Sequence, residues 1–231
     1  MVKKEAFTLA EVLITLVIIG VVAALTIPNL MQKYQEQTTV KKVQKFNSNL
    51  ANAYALAMKE NGDVSDWGLT GQDTASAEKI YEMLFKPYFK ITKNCGTTNE
   101  KKCVSGKNYK HLNNNIKGTY TTYYKVVLDD GATILWSATG PNDVGTDIYI
   151  GYDVNGIKEP NQWGRDLFFF GIRKNLSYPD GSPKKHSSSY FTNNCKTTGS
   201  GQGCTAWVVY KGNMDYLHCD DLSWTGKDKC K

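Results

Sequence analysis

The chain has 231 residues and a formal net charge of +6, from 28 lysines and arginines against 22 acidic residues. After an apolar N-terminal segment, about 200 residues remain, which is enough for one domain with its own hydrophobic core. The lysines are spread along the chain, a distribution typical of a solvated surface. The sequence contains no G-x-S-x-G, H-E-x-x-H or glycine-rich phosphate-binding pattern, so it indicates no class of enzyme, and we expect a protein without catalytic activity.

The first predicted element is an apolar helix. A nearly unbroken apolar run extends from Phe7 to Ile27, twenty-one residues in which Glu11 is the one ionisable side chain. At ~1.5 Å per residue, a helix of this length spans ~30 Å, which matches the hydrocarbon core of a bilayer. Lys3 and Lys4 precede the run and the next basic residue is Lys33. This bias predicts that the start of the chain lies in the cytoplasm and the remainder outside.

Glu11 is an unusual residue for such a run, because a carboxylate inside a membrane segment is costly and generally has a partner. One interpretation is that its side chain reaches the membrane interface and contacts water. The other is that a cation of a neighbouring molecule neutralises it. A free α-amino group, made by cleavage just before Phe7, would serve as that cation.

The segment KKEA-FTLAEVLITLVIIGVVAALTIPNL resembles the class III signal of type IV pilins and type II secretion pseudopilins. In that family a prepilin peptidase cuts before a phenylalanine and methylates the new amine, and a glutamate at the fifth mature position pairs with the amine of an adjacent subunit. The resemblance implies cleavage between Ala6 and Phe7, methylation of Phe7 and assembly through Glu11. It places the helix-loosening residues of the family at Gly20 and Pro28. Alanine at position 6 departs from the usual glycine, but it is small enough for processing.

This resemblance also implies an organisation and a location for the protein. The implied parts are a leader (residues 1–6), a transmembrane and filament-core helix (residues 7–28), an amphipathic helical arm (residues 29–61) and an extracytoplasmic domain (residues 62–231). The protein would cross a bacterial inner membrane once, with its N-terminus in the cytoplasm, and enter an extracytoplasmic filament. Its implied partners are copies of itself, related pilin subunits, prepilin peptidase and the inner-membrane assembly machinery.

Two alternatives remain open at this point. The first is an ordinary secretory signal, although the triplet Val22-Ala23-Ala24 that imitates its cleavage site lies inside the apolar run. The second is an extracytoplasmic binding or enzymatic domain that keeps the helix as an uncleaved anchor. An FTLAE opening is unexpected for a mere anchor.

After Pro28 the helical pattern continues to about Asn61, where Asn61-Gly62-Asp63 is a stop signal. We therefore expect one long helix from Phe7 to about Glu60, with a soft place near Gly20–Pro28. Apolar residues recur there at steps of three and four, at Leu30, Tyr34, Val40, Val43, Phe46, Leu50, Ala53 or Tyr54, and Ala57.

The remaining chain predicts an α+β fold of the pilin-like kind, in which the long N-terminal helix packs on an antiparallel β-sheet with a disulfide-stapled C-terminal region. A helix is expected at Ala75–Tyr88, capped by Asp73 or Thr74. Asp129-Asp130-Gly131 predicts a hairpin turn. Cys95–Asn115 and Ser177–Gly203 are expected to be irregular. Strands are expected at Tyr120–Leu128, Ala132–Ser137, Asp147–Tyr152, Asp166–Ile172 and Thr205–Lys211. The phrase DVNGIKEPNQWGRDLFFFGI also resembles a block of pseudopilin-like outer domains.

The cysteines are even in number and all follow the apolar run, which predicts disulfides in an oxidising compartment. No C-x-x-C pair occurs, so a zinc site is not expected. A short loop favours pairing of Cys95 with Cys103, and the sequence leaves the pairing of the other four open. The six are Cys95, Cys103, Cys195, Cys204, Cys219 and Cys230.

Three further sets of residues have competing interpretations. No cofactor is expected, but one set of oxygen-bearing side chains could bind calcium. The same residue types are also common in turns, which is the competing interpretation. The set is Asp143, Asp147, Asp153, Asn155, Glu159 and Asp166. Aromatic side chains could stack on DNA or sugar, but in strands they favour core positions: Trp67, Tyr120, Tyr123, Tyr124 and Trp163. Three histidines in unrelated polar contexts are expected at the surface: His111, His186 and His218.

Overall fold

The structure, a computed structural model, describes residues 8–138, 147–183 and 185–230. It divides into two compact units, Met1–Thr38 and Thr39–Lys231, and one long helix, α1 (Leu9–Asn61), passes from the first unit into the second. By length and composition, α1 is the one helix within the described ranges that could cross a membrane. A signal sequence near the start of a chain meets the same criteria.

In the first unit, α1 continues through Pro28 without a break in the helix. Proline has no N–H, so the carbonyl of Ala24, four residues earlier, lacks its usual donor. The predicted loosening of the helix between Gly20 and Pro28 stays a prediction.

In the second unit, the same helix presents a single apolar stripe. Phe46 lies at its centre, stacked on Tyr152 with ring centroids 4.1 Å apart and edge-on to Phe170 at 5.0 Å. Spacings of three and four residues place the stripe on one face, and that face packs on the sheet. The buried stripe consists of Val40, Val43, Phe46, Leu50, Ala53, Tyr54 and Ala57.

The sheet has six antiparallel strands in the order β1-β4-β5-β6-β7-β8, and a separate ribbon pairs β2 with β3. Each neighbour from β4 to β8 is the next strand in sequence, so these strands form a meander. Their bounds are β1 Ile91–Gly96, β2 Tyr109–Lys110, β3 Ile116–Gly118, β4 Tyr124–Leu128, β5 Thr133–Ala138, β6 Asp147–Asp153, β7 Leu167–Arg173 and β8 Leu176–Pro179.

Both faces of this sheet are covered. Phe168 and Phe170 of β7 point into the large core under α1, whereas Leu167 and Phe169 point into a second, smaller core. That second core is closed by Tyr109 of β2 and by Val104, Tyr120 and Trp163, which come from the connections between strands. Burial on both faces explains why the β7 segment LFFFGI is apolar at every position rather than at alternate ones.

Three further helices complete the second unit: α2 (Thr74–Ile80), α3 (Ser188–Asn194) and α4 (Cys204–Lys211). Helix α2 is followed by a π-helical turn, Tyr81–Phe85, so together they fill most of the expected helix. Asp73 caps α2 by accepting the N–H of Ser76 at 2.7 Å.

The prediction of a final strand at Thr205–Lys211 is wrong, because this segment forms helix α4. Short apolar runs do not distinguish a strand from a buried helix, and TAWVVYK is such a run. The residue that ends the helix is Gly212, which adopts the left-handed conformation common after a helix C-terminus (φ 68°). Ser177–Gly203 is also more ordered than expected, since it contains most of β8 and all of α3.

All six cysteines form disulfides, each between neighbours in sequence: Cys95–Cys103, Cys195–Cys204 and Cys219–Cys230. The second joins the end of α3 to the start of α4. The third holds the C-terminal segment, where the N–H of Cys230 donates to Asp215 at 2.7 Å.

Candidate functional site

The first candidate site is the start of α1, where Thr8 and Glu11 form a reciprocal cap. The N–H and the hydroxyl of Thr8 both donate to Oε2 of Glu11 at 2.8 Å, and the Thr8 hydroxyl accepts from the N–H of Glu11 at 3.3 Å. This is the capping box expected when a glutamate follows a threonine by three residues. Within the described residues every bond to the carboxylate goes to Oε2, so Oε1 can accept a further donor. Ala6 and Phe7, the predicted cleavage site, lie outside the described residues.

The carboxylate of Glu11 therefore lies at the positive end of the helix dipole, beside the chain that leads to Phe7. A negative group is favourable there, which lowers the cost of keeping a carboxylate beside an apolar helix. The arrangement is suited to receiving a cation at the N-terminal end of α1.

The large apolar side chains of the first unit are exposed. A methyl group added to Gly20 would meet no atom within 4 Å. No contact among the described residues therefore requires a glycine at this position. An uninterrupted apolar surface of this kind is a site for lipid or for another apolar helix. The exposed residues include Leu13, Ile14, Leu16, Val17, Ile18, Ile19, Val21, Val22, Leu25 and Ile27.

The second candidate site is a pair of buried carboxyl groups at the two ends of the β6–β7 connection. Asp153 accepts the Tyr109 hydroxyl at 2.7 Å and the N–H of Gly156 at 2.9 Å. Asp166 accepts the N–H groups of Asn161 and Gln162 at 2.7 and 2.6 Å. Both residues are almost fully buried, with 0% and 2% of their surfaces exposed.

Burial favours the protonated form of both carboxyl groups. Loss of hydration, and then the charge of Asp166, hold the pKa of Asp153 well above its usual range. Burial likewise raises the pKa of Asp166 to about 6, although the two backbone N–H groups favour its ionised form. Burial, and then the charge of Asp153, raise the pKa of Tyr109, so its hydroxyl stays a hydrogen-bond donor.

The calcium hypothesis is only partly consistent with this geometry. Glu159 is exposed and pairs with Lys107 at 2.7 Å. Asp143 lies outside the described residues, and the side chain of Asp147 is not described. In the described part of the chain, no three His, Cys, Asp or Glu side chains come together as a metal site. The oxygens that lack a described partner near the carboxyl pair are Oδ1 of Asn155 and Oδ1 of Asn161. Calcium therefore stays a hypothesis.

Two protein families match this chain. Residues 29–191 match a family described as "Family of unknown function (DUF6613)", and the match covers 163 of the 231 residues. The chain belongs to this family. Residues 1–27 match the prokaryotic N-terminal methylation motif, so the chain carries a prepilin-type signal of the kind found in type IV pilins and pseudopilins. Comparisons with curated proteins and with solved structures found no match.

The methylation motif and the exposed apolar helix together fit a pilin-like subunit anchored in an inner membrane. The family model begins at residue 29, just after the motif ends, and reaches into α3. It therefore covers the helical arm and the whole sheet.

The aromatic residues considered for stacking are mostly core residues. Trp67, Tyr120, Tyr124 and Trp163 are buried, and Tyr123 is half-buried against the second core. The interpretation of these residues as an exposed stacking surface for DNA or sugar is therefore wrong for the first four.

The expectation that all three histidines lie at the surface is also wrong. His218 is exposed, but His111 is half-buried beside Trp163, with ring centroids 4.6 Å apart. His186 is half-buried as well, and its Nε2 lies 2.9 Å from Oδ1 of the buried Asp180.

Sequence reasoning missed one buried cation, Lys125. Its ammonium group donates to the carbonyls of Thr121 and Tyr123 at 2.8 and 2.6 Å, and burial lowers its pKa to about 8. Alternation along β4 does not indicate it, because a lysine between Tyr124 and Val126 is expected on the opposite, solvent-facing side of the strand.

Proposed function

We propose that this protein is a structural subunit, a pilin or pseudopilin, of a type IV pilus or a type II secretion-like filament. The observation that carries the proposal is that the exposed apolar half of α1 lies within a match to the prepilin-type methylation motif. Its role is assembly, with no catalytic step of its own. Before assembly it is held in the inner membrane by α1, and afterwards its sheet domain is extracytoplasmic.

In this proposal, prepilin peptidase cleaves the peptide bond between Ala6 and Phe7 and methylates the new amine of Phe7. The amine of one subunit then pairs with the carboxylate of Glu11 in its neighbour. A charge within the hydrocarbon core is costly, and pairing it removes most of that cost. The capping box supports this role, because it holds Oε2 and leaves Oε1 for the cation.

The apolar surfaces of neighbouring α1 helices would then bundle in the filament core. Pairing of amine and Glu11 sets the relative position of two helices, which apolar packing alone does not do. The partners are therefore copies of this chain or related subunits, together with the peptidase and the inner-membrane assembly machinery.

Processing is tested by mass spectrometry of N-terminal peptides from the membrane fraction and from sheared filaments. The expected mature N-terminus is methylated Phe7. An intact Met1 in all of the exported protein would contradict the proposal and favour a domain on an uncleaved anchor.

Assembly is tested by Glu11→Ala. The variant should be cleaved and remain in the membrane, yet its filament yield should fall at least about tenfold, because an unpaired amine would stay in the hydrocarbon region. The matched control is Glu36→Ala, which removes a carboxylate from the same helix, where Glu36 accepts from Gln32 at 3.0 Å. Wild-type filament yield from Glu11→Ala would refute the role of Glu11.

A further inference from the structure

An open cleft of about 580 Å³ lies where α1 enters the second unit. Four lysines line it: Lys42 of α1, Lys93 of β1, Lys102 in the following loop and Lys158 in the β6–β7 connection. Among its described lining residues, Asp130 is the one acid. We call this feature the basic cleft.

The charges of the basic cleft are not neutralised within the chain. Lys42 donates to the carbonyl of Val154 at 2.9 Å and Lys93 to that of Lys101 at 2.5 Å, and these contacts leave both charges uncompensated. Oδ1 of Asp130 accepts the N–H of Ala132 at 3.1 Å. None of the four lysines forms an ion pair within the described ranges. Like charges gathered in one concave surface attract an anionic partner.

The opposite charge collects at the other end of the same helix. Residues 60–66 contain three acidic residues and no basic one, directly after Lys59 in the last turn of the helix. Glu60 lies in the last turn of α1 and accepts the Tyr88 hydroxyl at 2.9 Å, and Asp66 lies in the turn that follows; both acidic residues are exposed. A carboxylate in the last helical turn is unfavourable for the helix dipole, so Glu60 does not stabilise α1 by its charge. We call residues 60–66 the acidic end.

The two surfaces are well separated within the second unit. Eighteen residues of continuous helix separate Lys42 from Glu60, which corresponds to roughly 27 Å at 1.5 Å per residue. They therefore cannot satisfy each other within one chain. Two different complementary patches on one subunit make a head-to-tail contact, and such a contact repeats into an open helical filament unless it closes into a ring.

We propose that the basic cleft of one copy binds the acidic end of a second copy of this chain. The proposal rests on the filament function and adds a contact between outer domains to the contact between apolar helices. Charge complementarity of this kind accelerates encounter and fixes register, which is what an ordered polymer needs beyond apolar packing.

The test uses the full-length protein with its assembly machinery and two charge-reversed variants. The cleft variant carries Lys102→Glu and Lys158→Glu, two exposed residues whose ammonium groups form no bond to a described residue. The acidic-end variant carries Glu60→Lys and Asp66→Lys. Each variant alone should be processed normally but lose filament yield at least about tenfold, because its two surfaces then carry the same sign.

Co-expression of the two variants is the experiment that tests charge complementarity directly. One copy then has two acidic surfaces and the other has two basic ones, so alternating assembly should restore the yield to near that of the wild type. The four substitutions together in one chain should also restore it. The control, Lys110→Glu with Lys229→Glu, changes the charge by the same amount at exposed lysines outside the cleft and should assemble normally.

A second readout does not depend on filament yield. A photoreactive residue in place of Ile157, which lines the cleft and is 54% exposed, should cross-link in membranes to a peptide containing residues 60–66 of another copy. Cross-links that map elsewhere, or wild-type filaments from the cleft variant, would overturn the proposal. If the cleft variant instead lost affinity for DNA or another polyanion while filament yield stayed normal, the occupant would be that polyanion.

The failures of the two proposals are distinguishable. If Glu11→Ala abolishes filaments and charge reversal does not, the subunit function stands and the outer-domain contact is wrong. If Phe7 is never the mature N-terminus, the subunit function is wrong, and the cross-link alone decides whether the two surfaces meet.

Discussion

The buried carboxyl pair predicts a specific pH dependence of stability, and Asp153→Asn is the substitution that isolates it. Asparagine keeps the two backbone bonds of the site, because its Oδ1 can accept the N–H groups of Asn155 and Gly156. Its bond to Tyr109 is reversed in direction: the hydroxyl donates to Asp153 in the wild type, and the amide N–H can donate to the hydroxyl in the variant. What the substitution removes is the ionisable proton. Its effect on stability should therefore depend on pH, whereas a purely steric effect would not.

The sign follows from the direction of the two pKa shifts. A carboxyl group with a higher pKa in the folded state binds more protons there than in the unfolded state, so the free energy of unfolding falls as pH rises between the two pKa values. For Asp166 the window runs from 3.8 to about 6, and a shift of this size corresponds to about 3 kcal/mol. Asp153 contributes a fall of the same sign, because burial, and then the charge of Asp166, hold its pKa well above its usual range.

Each proton bound only by the folded state gives a slope of up to about 1.4 kcal/mol per pH unit. As pH rises above the ordinary pKa of an aspartate, the wild type should thus lose stability that Asp153→Asn retains, because only the wild type has a carboxyl group with a raised pKa at this position. Urea unfolding of the protein in detergent micelles, followed by tryptophan fluorescence, measures both. Taking the difference between the two proteins cancels other titrating groups, such as Lys125.

The control is Asp129→Asn, because Asp129 is an exposed aspartate in the β4–β5 turn. This variant measures the effect of replacing an aspartate by asparagine away from the buried carboxyl pair. A difference between Asp153→Asn and the wild type that stayed constant from about pH 4 to about pH 8 would refute the assignment of a raised pKa to Asp153.

Three further predictions concern the same outer domain. Phe46→Ala should destabilise it by about 3–5 kcal/mol in urea unfolding, because Phe46 is 3% exposed and contacts three aromatic rings. The control, Lys45→Ala on the exposed face of the helix, should cost about 0.5 kcal/mol or less. Alkylation of the denatured, non-reduced protein should find no free thiol, and replacing Cys195 and Cys204 by alanine should cost about 2–4 kcal/mol; several free thiols would contradict export to an oxidising compartment. If calcium binds between the Asp153 and Asp166 loops, millimolar calcium should raise the melting temperature of the wild type and leave that of Asp153→Asn unchanged, and equal responses of the two would rule out this site.

The sequence predicted those elements whose conformation is set by residues close together in the chain. The stripe from Val40 to Ala57 has the helical period over many turns, and a pattern of that length has few structural alternatives. The hairpin between β4 and β5 follows from Asp129-Asp130-Gly131, because a glycine with positive φ is needed there and Gly131 has φ 81°. Pairing of Cys95 with Cys103 required only that a short loop closes easily.

The parts that were missed depend on tertiary context. Helix α4 is buried and short, so its sequence carries no periodicity that separates it from a strand. Lys125 is buried because the chain around Gly96 and Thr121 supplies carbonyl groups for its ammonium, and these partners are distant or irregular in sequence. Asp153 and Asp166 were expected as turn residues or calcium ligands. Their burial follows from the second core, which forms only when Tyr109 and Trp163 cover the outer face of the sheet.

The two family matches meet at residue 28 of α1, and burial of the helix against its own sheet begins only at Val40. Before residue 28 the helix exposes apolar residues around its whole circumference, and nothing in the described chain covers them. After residue 39 it exposes polar residues and buries one stripe against its own sheet. The first half is therefore suited to contact with lipid or another apolar helix, and the second half is suited to packing on its own sheet. Glu11→Ala should consequently abolish assembly while urea unfolding of the outer domain is unchanged, and Phe46→Ala should weaken the outer domain while cleavage at Phe7 is unchanged. A single substitution that altered both properties to the same extent would contradict this division of the helix.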